Sequence, residues 1–204
     1  MKIVTFEEKD LLIRQLNNDR VIAFSTETVF GLGANSESKK AFDNLVKVKN
    51  RLPDKPFTLM CGSIDQIKPY AYINDIADKL INTFMPGSIT LLLKVKENIP
   101  HYLHLNSEYI GVRIPGDPEL LKFLETYGKP LLVPSANKSN DSPATSIKEV
   151  FDYFEGEIEY CVSGKCTSNV PSTIIQVNDD DIKIIRKGPI TEEEIREVLK
   201  WKLF

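Results

Sequence analysis

Four groups of residues in this sequence have side chains suited to charged ligands. The stretch FSTETVFGLGA, residues 24–34, sets Glu27 between two hydroxyls, Thr26 and Thr28, and then places Gly31 and Gly33. The stretch KVKNRLPDKP, residues 47–56, gathers Lys47, Lys49, Arg51 and Lys55 at a helix end and in the turn that follows. Lysines there also favour the helix dipole, which offers a structural reading for Lys47. The rigid RLPDKP turn instead aims Arg51 and Lys55. Arg113 and Arg186 each close an apolar run, and a guanidinium at the end of a buried strand takes an anionic partner, either a protein carboxylate or a ligand. Between them, VPSANKSNDSPATS, residues 133–146, concentrates hydroxyls and amides.

The signatures of most other chemistries are missing. The sequence has no GxxxxGK[ST] phosphate loop, no GxGxxG, no GxSxG elbow and no HExxH. Its two histidines, His101 and His104, follow Pro100 in what reads as a loop, with no third metal ligand at a matching spacing. Ser135 has no histidine placed to activate it. Fixed cations, hydroxyls and backbone N–H groups without an acid–base histidine suit a polyanionic substrate. They fit phosphoryl or nucleotidyl transfer, which depends chiefly on positioning and charge stabilisation. The residues by themselves indicate a nucleotide or phosphate site.

These groups need a scaffold, and the patterning supplies an α/β one. RVIAF, FTLMC, SITLLLKVK, YIGVRI and PLLV read as strands, and STIIQV with IKIIR as a late pair across an NDDD turn. Helices are expected over 38–50, 74–84 and 118–127. Capping pairs mark three more, Thr5 with Glu8, Ser146 with Glu149 and Thr191 with Glu194. Helices and short strands interleave, so a sheet with helices packed on it is expected. The polar clusters follow strand ends, where ligands bind in open sheets.

The whole chain has 204 residues, 42% hydrophobic and 27% charged, with a net charge of −3. That acidic balance disfavours a general nucleic-acid-coating protein. Cys61, Cys161 and Cys166 are odd in number and lack metal spacing, as for free thiols in a reducing compartment. The N-terminus meets acids early, unlike a signal peptide, and no apolar run approaches the ~20 residues of a membrane-spanning helix. A cytoplasmic location is expected.

In order along the chain, STETVFGLGA, KVKNRLPDKPFTLM, MPGSITLLL, GVRIPGDP, VPSANKSNDSPATS, PSTIIQV and IIRKGPI resemble the YrdC-like family, the threonylcarbamoyl-AMP synthases. The resemblance runs from about residue 7 to about residue 190. It implies a single domain over 1–204, with a twisted mixed β-sheet, helices around it and a concave basic cleft. It also implies synthesis of threonylcarbamoyl-AMP from L-threonine, bicarbonate and ATP, with release of pyrophosphate. Mg2+ is implied on the ATP phosphates, and the product would pass to tRNA threonylcarbamoyl-transferase proteins. By resemblance, Lys49, Arg51, Lys55, Ser135, Asn137, Pro143 and Arg186 bind ATP, with positioning and charge stabilisation by Lys49 and Arg51 and no acid–base residue. Thr28, Arg113 and Ser172 bind threonine, Arg113 as a bidentate partner of its carboxylate. Gly31 and Gly33 are expected to turn the backbone near the substrate. Glu27 receives no role. Ser25 stands where the family usually has proline, Leu52-Pro53 shifts another proline by one residue, and Asn140-Asp141-Ser142 replaces the run after Ser139.

Two other readings compete. An RNA-binding module of the same type would need no ATP and would bind tRNA with a steep salt dependence. A carbamoyl-transfer domain of the kind found in hydrogenase maturation proteins would normally sit in a much longer chain.

Overall fold

The computed structural model describes residues 1–51 and 56–199. In chain order the elements are β1 (Lys2–Val4), α1 (Lys9–Asn17), β2 (Ile22–Phe24), β3 (Gly31–Asn35), α2 (Lys39–Lys49) and β4 (Leu59–Met60). Next come α3 (Ile64–Ile67), α4 (Asp75–Phe84), β5 (Ile89–Lys94), α5 (His101–His104), β6 (Tyr109–Arg113), α6 (Pro118–Tyr127) and β7 (Leu131–Leu132). The chain ends with α7 (Ile147–Phe154), β8 (Tyr160–Val162), β9 (Thr173–Val177), β10 (Ile182–Arg186) and α8 (Glu192–Leu199).

The strands form one sheet in the order β1-β8-β2-β3-β7-β4-β6-β5-β9-β10. It is mixed: β1 and β2 flank β8 in parallel, β4 runs parallel to β6 and β5 to β9, and the remaining neighbours are antiparallel.

Side chains alternate across the strands and so divide between two cores. Ala23, Leu59, Val112, Leu132 and Cys161 enter the larger cluster, with helices α2, α4, α7 and α8. Their neighbours Phe24, Met60, Leu131 and Val162 enter the smaller one, with α1 and α6. The helices are set locally. Ser38, Asn74, Asp117 and Ser146 each accept a backbone N–H at a helix start, and Gly128 closes α6 with φ 79°.

The face carrying the smaller cluster has consequences beyond its helices. Gly31, Thr58, Met60, Thr90, Arg113, Val133 and Ile174 lie at alternate positions to the larger core and line one cavity. The cavity floor is therefore a stretch of sheet, and among the described residues none from α1 or α6 lines it.

Gly31 and Gly33 differ from expectation. They lie inside β3, paired with β2, rather than in a turn. A Cβ on Gly33 would stand 2.5 Å from Phe24 Cε1, and one on Gly31 would stand 2.8 Å from Val133 Cγ1. The glycines make room for the Phe24 ring, and between them Leu32 faces the other core. The histidines also differ: His101 and His104 bound the one-turn helix α5, with His101 Nε2 bonded to Asn106 Oδ1 and His104 Nδ1 to Ser107 O.

Candidate active site

The cavity has a volume of about 630 Å³. Thr28, Lys49, Arg51, Arg113, Ser135, Asn137, Ser172 and Arg186 all line it, drawn from six separate stretches of the chain. No carboxylate does so among the described residues. Pro143, expected beside ATP, is outside the lining, and Lys55 lies outside the described residues.

One wall is built where α2 ends. Asn50 takes the left-handed conformation at φ 49°, stops the helix, and delivers Arg51 to the cavity with its guanidinium 5.1 Å from the Phe57 ring centroid. The SAN loop docks on that helix end. Lys138 Nζ donates to Val48 O, and Ser139 N donates to Lys49 O, satisfying carbonyls the helix leaves open. The same loop is stitched to β3, since Ala136 N donates to Phe30 O and Leu32 N to Pro134 O. Asn140 adopts φ 73°, so the left-handed turn survives the departure from the family's run.

Lys49 sits at the centre of this wall, 4% exposed. Its ammonium donates to Ser135 O at 2.6 Å, Asn137 O at 2.8 Å and Asn137 Oδ1 at 2.9 Å. An ammonium has three N–H donors, so all are used. Lys49 is thus a staple of the loop, with no N–H left over for direct contact with a ligand. Burial, and then the charge of Arg51, lower its pKa to about 7, against a raising influence from Asp141. Three carbonyl acceptors also favour the protonated form, because a neutral amine has only two N–H groups.

The other wall centres on Arg113 at the end of β6. Nε donates to Gly87 O at 3.2 Å, while Nη2 donates to Glu27 Oε1 at 2.6 Å and Thr28 Oγ1 at 3.1 Å. Nη1 has no partner among the described residues. Both hydrogens of Nη2 are committed, so a carboxylate in the cavity meets Nη1 rather than an open fork. Thr28 Oγ1 is itself fixed by Thr26 Oγ1 at 2.8 Å. Beyond Arg113, Ser172 Oγ shares a 2.8 Å hydrogen bond with Thr90 Oγ1 and accepts from Arg186 Nη2 at 3.2 Å. Arg186 therefore belongs with Ser172. Burial, and then the nearby Arg113 charge, lower its pKa.

Glu27 is the residue whose role the sequence withheld. Its side chain pairs with Arg113, 86 positions away. Its carbonyl oxygen accepts from Thr167 N, Ser168 N and Thr167 Oγ1, which ties down the segment leading to Ser172. The acid flanked by two hydroxyls was visible, but its partner was not. The histidines do not line the cavity, so neither stands beside Ser135 there.

Cations and hydroxyls, with no lining acid among the described residues, make this an α/β protein with a cation-lined cavity on one face of a mixed sheet. The comparisons specify it further: residues 14–188 match the Sua5_yciO_yrdC family model, described as "Telomere recombination", and the chain belongs to that family. A Methanocaldococcus jannaschii relative is 34% identical over 195 residues, covering 95% of this chain and 89% of its own length. The threonylcarbamoyl-AMP synthase of Buchnera aphidicola is 37% identical over 166 residues, covering 79% of this chain and 94% of its own. The crystal structure of Pyrococcus abyssi Sua5 complexed with L-threonine matches with a TM-score of 0.92 at 29% identity. That match covers 98% of this chain and 61% of the other. Among the described residues no helix is long and apolar enough to cross a membrane.

Proposed function

We propose that this protein is an enzyme that makes threonylcarbamoyl-AMP from L-threonine, bicarbonate and ATP, a nucleotidyl transfer that releases pyrophosphate. The observation that carries the reading is one cavity with two unlike walls. The Lys49–Arg51 wall carries positive charge with no lining acid among the described residues, as a triphosphate requires. The Arg113 wall offers Nη1 for a carboxylate beside the hydroxyls of Thr28 and Ser172, as a hydroxy amino acid requires. Kinship with a synthase and with a threonine-bound structure supports the same assignment.

The amine of threonine and bicarbonate give a carbamate and water. A carbamate oxygen then attacks the α-phosphorus of ATP, the bond from that phosphorus to the bridging oxygen breaks, and pyrophosphate leaves. The protein's part is alignment, exclusion of water and charge stabilisation. Ser135 and Asn137 would position the nucleotide on the loop that Lys49 holds, with Arg51 and Lys55 on its phosphates. Thr28, Arg113 and Ser172 would hold threonine, and Arg186, bonded to Ser172, would sit between the two substrates.

Mg2+ would neutralise phosphate charge. No group of three acidic, histidine or cysteine side chains among the described residues could hold a metal ion, which suits an ion carried by the nucleotide. The nucleotidyltransferase class, a cytoplasmic location and delivery of the product to tRNA-modifying transferases follow from this reading. The test is incubation with L-threonine, bicarbonate, ATP and Mg2+, measuring pyrophosphate and the mass of threonylcarbamoyl-AMP. Pyrophosphate release that requires threonine, with that product, is expected. Absence of both under conditions where a related synthase works would overturn the proposal.

A further inference from the structure

Glu27 is outside the cavity lining, yet it is the carboxylate paired with Arg113, and Arg113 is 6% exposed. An ion pair that served stability alone would satisfy both carboxylate oxygens, because a buried unpaired oxygen costs free energy. Here Glu27 Oε2 is buried and has no partner among the described residues. Oε1 accepts from Arg113 Nη2 at 2.6 Å and, more weakly, from Ser88 Oγ at 3.5 Å. A side-on grip at Nε and Nη2 is unavailable because Gly87 O occupies Nε. An end-on grip at Nη1 and Nη2 would cover the atom facing the cavity. The pairing thus fixes the guanidinium plane from behind and keeps Nη1 open.

Charge gives a second reason. Arg113 and Arg186 lie close enough for one to disfavour the charge of the other. Among the described residues Glu27 is the one acid in a salt bridge with either arginine. With it, the threonine wall carries one net positive charge, which matches one carboxylate. Without it the wall carries two and favours a dianion.

Resting on the proposed synthase reading, we infer that Glu27 is a positioning residue acting through Arg113, which sets the affinity of the site for a single-carboxylate amino acid and its discrimination against phosphate-like dianions. Glu27→Gln keeps the shape and an acceptor for Nη2 but removes the charge, whereas Glu27→Asp keeps the charge and withdraws it by one methylene.

The experiment measures KM for L-threonine and ATP, direct L-threonine binding by calorimetry, and inhibition by inorganic phosphate, with folding checked by circular dichroism. For Glu27→Gln the KM for threonine should rise at least about tenfold, the effect of losing a charge-assisted contact. The KM for ATP should stay within about twofold, as expected when binding of one substrate alone is damaged. Inorganic phosphate should become a stronger competitor of threonine. Glu27→Asp should recover part of the threonine affinity and all of the resistance to phosphate. Threonine affinity unchanged in both folded variants, or equal losses for threonine and ATP, would overturn the inference. If Glu27→Gln does not fold, Glu27→Asp decides alone, because unchanged threonine affinity there also overturns it. A wild-type chain that binds threonine but forms no product would instead count against the synthase reading, and the calorimetry of the variants would still judge Glu27.

Discussion

Lys49 and Arg113 are buried cations on one cavity, 4% and 6% exposed, yet their surroundings differ in kind. Lys49 is wrapped by three neutral carbonyl oxygens, and the acid whose charge acts on it is Asp141. Dipoles stabilise the ammonium without cancelling its charge, so its field remains available to a polyanion. Arg113 faces a carboxylate at 2.6 Å, which cancels most of its charge and leaves a directional donor at Nη1. A wall solvated by dipoles suits triphosphate, and a wall balanced by an ion pair suits a zwitterion that brings little net charge. The shared sheet face lets these two electrostatic solutions stand opposite each other without merging.

Removing Arg113 should break the comparison most severely. Arg113→Ala should lower product formation by about 10³-fold, typical of losing a fixed charge at a reacting site. It also strands Glu27, at a cost of about 3–5 kcal/mol for a buried ion pair cut on one side. A thermal melt beside the activity assay separates the two effects. Arg51→Ala should lower activity by about 10²-fold or more through the phosphates. Its melting temperature should fall less than that of Arg113→Ala, because Arg51 is only half-buried.

Lys49→Met should raise the KM for ATP by about tenfold or more, by leaving three loop carbonyls without their donor. Threonine affinity should change little. Initial rates with each substrate varied in turn check this.

A pH series sharpens the contrast further. Lys49 carries a pKa of about 7 in the folded protein against an ordinary 10.5. As pH rises through about 7 the staple loses a proton, so ATP affinity should fall. The unfolded chain holds that proton longer, so the burial cost is in full force below about 7 and is relieved as pH climbs toward 10.5. This group alone therefore raises stability over the window in which it weakens ATP binding. Lys49→Met should abolish both trends.

The smallest effect on chemistry belongs to Gly33→Ala. It should cost about 1–3 kcal/mol by crowding Phe24, while both KM values hold.

The helices were legible because their caps are local: Ser38, Asp117, Ser146 and Thr191 each hold a backbone N–H within three residues. The long strands were legible from their apolar runs. β3 was hidden because its inward positions are Gly31 and Gly33, which carry no side chain to show an alternation. β1 and β8 are three residues each, and their parallel pairing depends on chain far away in sequence.

Within the site, residue types were readable but partnerships were not. Nothing local in the sequence tells that Lys49 spends its donors on residues 86 and 88 positions away, that Arg186 attaches to Ser172, or that Glu27 meets Arg113. Pro143 stands in the motif, and the residues that line the cavity do not include it.

The division of labour between the walls is tested most directly by calorimetric titration of L-threonine and of Mg-ATP into Arg113→Ala and Arg51→Ala. Arg113→Ala should lose threonine binding and keep that of ATP, and Arg51→Ala should show the reverse. Loss of ATP binding with threonine retained in Arg113→Ala, or the same pattern in both variants, would contradict a cleft with two separate walls.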